Sequence, residues 1–571
     1  MADQKAENVL NLALSTPEKE RVRTEDLNVG FDPELKTWEV IVTYSGDLRR
    51  QLQERFPDVE MQELSGGFAI LEIPERLVET VIQLNEIEYV EKPKRLYFAL
   101  NQARAASCFL PVQSTGSLQL SGRGVLIGII DSGIDYFHKD FRNEDGSSRI
   151  LFLYDQVLDR IITKEEIDQV LKLENRELAE QQLPSIDVSG HGTAVAGIAA
   201  GNGRESNGKY RGVAYDSDLI VVRLGIAADD GFPRTTQVMK GLDFVVSKSV
   251  ELEMPIAVNL SFGNSYGSHD GNGLFERYID RLAEVGRNVL VVGTGNEGDK
   301  AGHSSGKLNH AEERIVELSV APYETGFSVQ IWKHYPDEFE IFLTDPSGSY
   351  TQQIRSQMGS SEIQINGTRI LLYYGEPSPF SESQEIYFEF IPMNGYIESG
   401  IWKFTLKPVK IVDGRFDFWL PTSGALNRST RFLRPEPETT LTIPSTTARP
   451  ISVGAYDDAT GTYAPFSGRG NTRDYQIPKP DLAAPGVGII APSRGGGYEP
   501  VTGTSFAAPL VTGASALLME WGIIQGNDPY LYGDKVKAYL RKGAKPISGE
   551  TEYPNPRVGY GALCIADSIP Q

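Results

Sequence analysis

Cysteine is nearly absent: 571 residues contain two, Cys108 and Cys564. Two thiols so far apart cannot make a disulfide framework, so oxidation is not expected to stabilise this protein. Both are read as small buried hydrophobes. Positive charge is also short, with 55 Lys and Arg against 77 Asp and Glu and a formal charge of −22. No Lys/Arg-rich run occurs, which excludes the basic face that a nucleic-acid partner requires. The acidic balance is read as a solvated surface. No stretch reaches the roughly 20 apolar residues of a membrane span, so no membrane partner is expected. Residues 1–23 are polar and lack the apolar segment of a secretory signal, which points to a compartment reached without the ordinary secretion route.

What is present is globular. Apolar residues make up 40% and charged residues 23%, over a length that suits two to four domains at roughly 100–200 residues each. Residues 1–36 are charged, with short apolar patches, and read as a helix or a loose arm. Beyond them the pattern sharpens: 38–44 alternates as a strand and 46–56 has helical spacing. The runs 59–64 and 67–73 form a hairpin closed at Ser65-Gly66-Gly67. A helix over 74–84 and a strand over 87–90 complete the order βαββαβ, a small ferredoxin-like unit. Residues 92–113 show no clear period and read as a linker.

From Gly122 the texture is α/β. The run 124–130 is continuously apolar, as a strand buried on both faces of a parallel sheet must be. Strands at 219–224, 256–260 and 288–292 alternate with helices at 191–201, 235–250 and 273–285, which predicts a doubly wound α/β domain. Between about 315 and 435 come short alternating runs separated by turn clusters such as Asp345-Pro346-Ser347-Gly348. They predict an inserted all-β sandwich or jelly roll. The α/β texture then resumes to the end of the chain. The expected division is therefore 1–101 (folded core about 37–95), 102–314, 315–435 and 436–571.

Three islands carry reactive side chains. Ile130-Asp131-Ser132-Gly133-Ile134-Asp135 follows the first buried strand, at the carboxyl end where open α/β sheets place their sites. Gly190-His191-Gly192-Thr193 opens an apolar helix, with glycines that permit close backbone approach. Gly503-Thr504-Ser505-Phe506-Ala507-Ala508-Pro509 opens another helix rich in small residues. Each has a plain structural reading alone: an Asx turn, a core histidine, a helix N-cap. Together they supply acid, base and nucleophile in the order Asp…His…Ser, one of the known chain orders of the serine triad.

In those motifs the sequence resembles the subtilisin-like serine proteases, the subtilases, from about Gly122 to Ala562 outside the inserted β region. The resemblance implies that Asp131 orients His191, His191 takes the proton of Ser505, and Ser505 attacks the scissile carbonyl. Gly293-Thr294-Gly295-Asn296-Glu297-Gly298, after the strand at 288–292, resembles the segment whose Asn donates to the oxyanion, so that role falls to Asn296. Ser261-Phe262-Gly263 resembles the segment that binds substrate backbone, and with Gly293, Thr294 and Gly295 it would wall the S1 pocket. Asp140 lies where some subtilases hold calcium, but no further ligands are recognisable. No metal and no cofactor is expected. The front unit resembles a subtilase prodomain, which implies self-cleavage between about Leu100 and Arg104.

A prodomain without a secretion signal, and a β insertion between the Asn296 and Ser505 islands, resemble the clostridial Csp germination proteases. That likeness implies a cytoplasmic or spore-associated protein that keeps its cleaved prodomain bound and acts on a protein substrate, the zymogen of a spore-cortex hydrolase.

Overall fold

The structure, a computed structural model, describes residues 5–21, 30–64, 67–93, 99–114, 118–173, 175–225, 233–350, 353–354, 359–473 and 478–570. It divides into two compact units, Met1–Phe98 and Ala99–Gln571.

In the first unit, the strand Thr37–Tyr44 alternates buried and exposed residues because a strand places successive side chains on opposite faces. It lies between Phe68–Pro74 and Ile87–Glu91, and Glu60–Leu64 pairs with the outer edge of Phe68–Pro74. All these pairings are antiparallel, and with the helices Leu48–Arg55 and Val78–Ile82 they complete the βαββαβ order. Trp38, Val40, Leu48, Leu71 and Val81 form its fully buried core. Of the segment expected to be a helix or a loose arm, Asn8–Ser15 is helical and packs Leu10 and Ala13 into that core. Ser65 and Gly66 of the expected hairpin turn lie outside the described residues.

The second unit is built on a nine-stranded sheet. Leu126–Asp131, entirely buried, occupies its middle between the parallel neighbours Ile256–Leu260 and Asp218–Arg223. The parallel order continues outward through Asn288–Gly293 and Ile451–Asp457 on one side and Ile150–Asp155 on the other. Helices Thr235–Glu251 and Leu274–Leu282 cover one face, and His191–Ala200 and Thr504–Met519 the other. The last two helices are apolar all round because they pack on each other and on the sheet. Contrary to the expectation that no run is long and apolar enough to span a membrane, Thr504–Ile524 meets that criterion; its most apolar window is 83% buried in this fold.

Three further expectations need correction. Cys108 and Cys564 are not isolated hydrophobes: they form a disulfide, with Cα atoms 4.9 Å apart, across 456 positions of sequence. It ties the start of this unit to its last helix. Sequence distance hid a contact that the fold creates. Replacing both cysteines with serine is expected to lower stability by about 2–4 kcal/mol, read as a lower urea midpoint for the variant than for the oxidised protein. Second, the supposed linker contains helices at Ala99–Ala106 and Phe109–Ser114, whose Ala103, Phe109 and Val112 enter the core. Third, the inserted β unit begins at His303–Lys307, before the expected 315, because that strand pairs with Arg415–Trp419.

The insertion consists of a six-stranded and a four-stranded sheet that share one core, including Phe388, Phe390, Trp402, Phe404 and Phe418. It is stitched to the loop that follows Ile256–Leu260. Gln330 accepts from the Gly267 N–H at 3.0 Å, and Ser381 donates to Asp270 at 2.6 Å. The Trp419 ring is stacked between His269 and His303, at 4.3 and 4.7 Å. Burial pushes the His269 imidazole down to about 4, so at neutral pH it stacks as an uncharged ring.

Candidate active site

Asp131 ends the central strand, and its carboxylate is almost fully buried. Oδ1 accepts from the Ser132 N–H at 2.7 Å and meets His191 Nδ1 at 2.7 Å. His191 begins the helix His191–Ala200, held against the Asp131 loop by a very close approach. A Cβ on Gly192 would lie 2.1 Å from the Gly133 carbonyl oxygen, so the residue after the histidine must be glycine.

Asp187, which sequence reasoning missed, fixes both pieces. It accepts from Ser132 Oγ at 2.8 Å, the Gly190 N–H at 2.9 Å and the Thr193 N–H at 2.9 Å. The free N–H groups of the first helical turn are thus satisfied by Asp187 at Thr193 and by the Ser189 and Ser132 hydroxyls at His191 and Gly192. The signal was an Asp just ahead of a helix start, a capping pattern.

These charges set the imidazole's proton affinity. Burial alone lowers it, but the adjacent Asp131 charge and hydrogen bond, helped by Asp187, outweigh burial and raise it above the ordinary 6.5.

Ser505 is the second residue of the helix Thr504–Met519. Its hydroxyl donates to the Ser261 carbonyl at 3.1 Å, while Ser261 Oγ donates back to the Ser505 carbonyl at 2.8 Å. The His191 ring packs against Phe506, the next residue, at 5.3 Å. Imidazole and hydroxyl therefore share one cleft, but among the described contacts the hydroxyl bonds Ser261 rather than His191. Handing its proton to Nε2 requires it to turn away from Ser261.

Asn296 follows the strand Asn288–Gly293 and is exposed. Its Oδ1 accepts from the Thr504 N–H at 3.1 Å and the Thr504 hydroxyl at 3.3 Å. That fixes the amide and, among the described residues, leaves Nδ2 as a donor beside the start of the helix that carries Ser505. Glu297 is buried and turned away, accepting from Ser423 N–H and Oγ, each at 3.0 Å; burial raises its carboxyl above the usual range.

Ser261, Phe262 and Gly263 leave the end of Ile256–Leu260, and Gly293, Thr294 and Gly295 leave the neighbouring parallel strand. The two segments therefore run side by side next to Ser505. Asp140 is fully buried, and its oxygens accept from the Tyr498 hydroxyl at 2.9 and 3.0 Å and from the Glu205 N–H at 3.0 Å.

Comparison with known proteins agrees with this layout. Residues 122–326 and 427–561 match the family described as the subtilase family, and residues 4–94 match the Csp protease B prodomain. The gap between the two subtilase segments falls within the inserted sheets. The solved structure of the Clostridium perfringens CspB protease is 38% identical, with a TM-score of 0.77, covering 82% of this chain and 96% of that one. The minor extracellular protease Vpr of Bacillus subtilis is 23% identical over 492 residues, 81% of this chain and 53% of Vpr. The serine protease AprX of Bacillus subtilis is 34% identical over 152 residues, 23% of this chain and 32% of AprX. The chain thus spans about half the length of Vpr and a third of AprX.

Proposed function

The chain belongs to the subtilase family, and on that footing we propose that it is a serine endopeptidase working through Asp131, His191 and Ser505. The observation that carries this reading is the 2.7 Å contact between His191 and a buried Asp131, in the cleft that Ser505 enters at a helix start. Asp131 holds the ring so that Nε2 is the free basic nitrogen and stabilises the imidazolium once the Ser505 proton arrives. Ser505 Oγ then adds to the peptide carbonyl. The oxyanion forms against the Ser505 backbone N–H and Asn296 Nδ2, where fixed dipoles need no reorganisation. His191 returns the proton to the leaving amine, and water resolves the acyl-enzyme by the same steps.

The test is hydrolysis of an unfolded protein such as casein by the purified full chain. Replacing Asn296 with alanine is expected to lower kcat by about 10²–10³ with KM little changed, because the donor acts only as charge develops. Equal loss in kcat and KM, or no hydrolysis by the wild type, would remove the reading.

The front unit serves in this proposal as a prodomain, cut from the rest between about Leu100 and Arg104 and remaining associated. The match to the Csp protease B prodomain supports that role. The proposal extends to a cytoplasmic or spore-associated germination protease that acts on a cortex-hydrolase zymogen, and to a jelly-roll class for the insertion. Amino-terminal sequencing of the purified protein tests self-processing: a new terminus near 101–105 is expected, and an intact Met1 on a chain that cleaves other proteins contradicts it.

A further inference from the structure

The outer face of the insertion's six-stranded sheet carries aromatic rings and carboxylates together. In the strand Ser383–Pro392, Ile386, Phe388 and Phe390 enter the core, so Glu385, Tyr387 and Glu389 point the other way. Cross-strand pairing adds Trp332, opposite Glu385, and Tyr373, opposite Tyr387, to the same face. Tyr373 is 55% exposed.

Tyr266, from the loop after Ile256–Leu260, joins them. Its ring meets that of Tyr387 edge-on at 6.0 Å, and the chain on both sides of it is held. The Tyr266 N–H donates to Asn264 Oδ1 at 2.8 Å. Gln330 Oε1 accepts from the Gly267 N–H at 3.0 Å and from Trp332 Nε1 at 3.3 Å. An exposed ring on a pinned backbone binds a partner at little ordering cost.

The carboxylates have no cation beside them. Trp332 and Gly375 flank Glu385, and Ser328 and Leu371 flank Glu389, all of them uncharged. The Tyr387 hydroxyl donates to Glu389. Among the described residues, Glu385 Oε1 is buried with no hydrogen-bond partner. Burial alone pushes that carboxyl up to about 7. Partial burial, with the charges of Glu385 and Glu389 behind it, pushes the Tyr266 phenol up to about 12. Both carboxylates therefore act at that ring.

We propose that this face docks the protein substrate outside the cleft, taking a Lys- or Arg-bearing segment several residues from the cut. The inference rests on the peptidase reading and adds a recognition element to it. Ser261-Phe262-Gly263, which in that reading binds substrate backbone, runs on to Tyr266 within three residues, so a chain lying along it arrives at the rings. A cation there meets aromatic faces and an unpaired carboxylate at once.

The test uses internally quenched peptides built on one casein segment that the full chain cuts. They carry Lys-Lys, Gln-Gln or Glu-Glu at both ends, about four to seven residues from the cut, a reach set by about 3.3 Å per extended residue. At pH 8, wild type is expected to cleave the Lys peptide with kcat/KM on the order of 10-fold above the Gln peptide, mostly through KM, and the gap should close at high salt. Glu385→Gln combined with Glu389→Gln, and separately Tyr266→Ala, should bring that ratio close to one. Both variants should keep the wild-type kcat/KM for the Gln peptide, which shows that they fold. Equal rates for Lys and Gln peptides in the wild type, or a preference that survives in the double variant, overturns the inference and leaves the peptidase reading intact. Binding of N-acetylglucosamine oligomers that Trp332→Ala abolishes, in place of any lysine preference, assigns the face to a sugar and overturns it too. Calorimetric titration of the Lys and Gln peptides into the Ser505→Ala chain reads docking without turnover, and the Lys peptide should bind more tightly. A wild type that cuts neither peptides nor casein thus fails the peptidase reading, while the ratio of affinities still decides this one.

Discussion

Replacing Ser505 with alanine is expected to lower peptide turnover by about 10⁶-fold, to leave the chain in one piece, and to change its stability little. The described hydrogen bond of the Ser505 hydroxyl goes to the Ser261 carbonyl, and the residue is only partly buried. Losing such a bond costs about 1 kcal/mol. The return bond from Ser261 Oγ ends on the Ser505 backbone carbonyl and survives the substitution. A catalytically quiet scaffold on the same fold would behave otherwise: wild type and variant would be indistinguishable in turnover and in processing. Kinetics and gel analysis of the two purified proteins, with urea midpoints as the control, check all three expectations.

Replacing Asp131 with asparagine is expected to lower kcat on the order of 10⁴-fold at neutral pH and to move the acid limb of the pH profile in a stated direction. His191 must be neutral to accept the Ser505 proton, so kcat/KM should fall as pH drops through the imidazole's pKa. In the wild type that pKa is raised above 6.5, because Asp131 outweighs burial. Removing the charge leaves burial unopposed except by Asp187, so the limb should shift to lower pH. The Ser132 N–H continues to hold the oxygen that faces His191, so the variant reports on charge more than on ring orientation. A limb that stays in place would mean that His191 does not sense Asp131. A full profile of kcat/KM between pH 5 and 9 for both proteins decides it.

The chemistry-bearing islands were legible because each sits where the period of the chain changes. Asp131 ends a continuously apolar run, and His191 and Ser505 each open a helix of small apolar residues. A strand buried on both faces and a close-packed helix both leave strong composition signals. What stayed hidden depends on contacts between distant segments. Asp187 reads as a loop acid until the fold brings Ser132 to its carboxylate. Cys108 and Cys564 meet only because the unit's first and last segments lie together. The helix Ala99–Ala106 was missed because a short, polar-containing run such as Asn101-Gln102-Ala103-Arg104 shows no clear apolar period. The insertion's first strand, His303–Lys307, escaped for a similar reason. Its polar, glycine-containing sequence has little strand character, and it forms by pairing with Arg415–Trp419.

The most direct test of the central claim is reaction of the full chain with a fluorophosphonate, followed by peptide mapping. An activated serine is phosphonylated because a neighbouring base takes its proton. The account predicts one adduct per chain, on Ser505, with labelling lost when His191 is replaced by alanine. An unlabelled wild-type chain, or an adduct on any other residue, would contradict it.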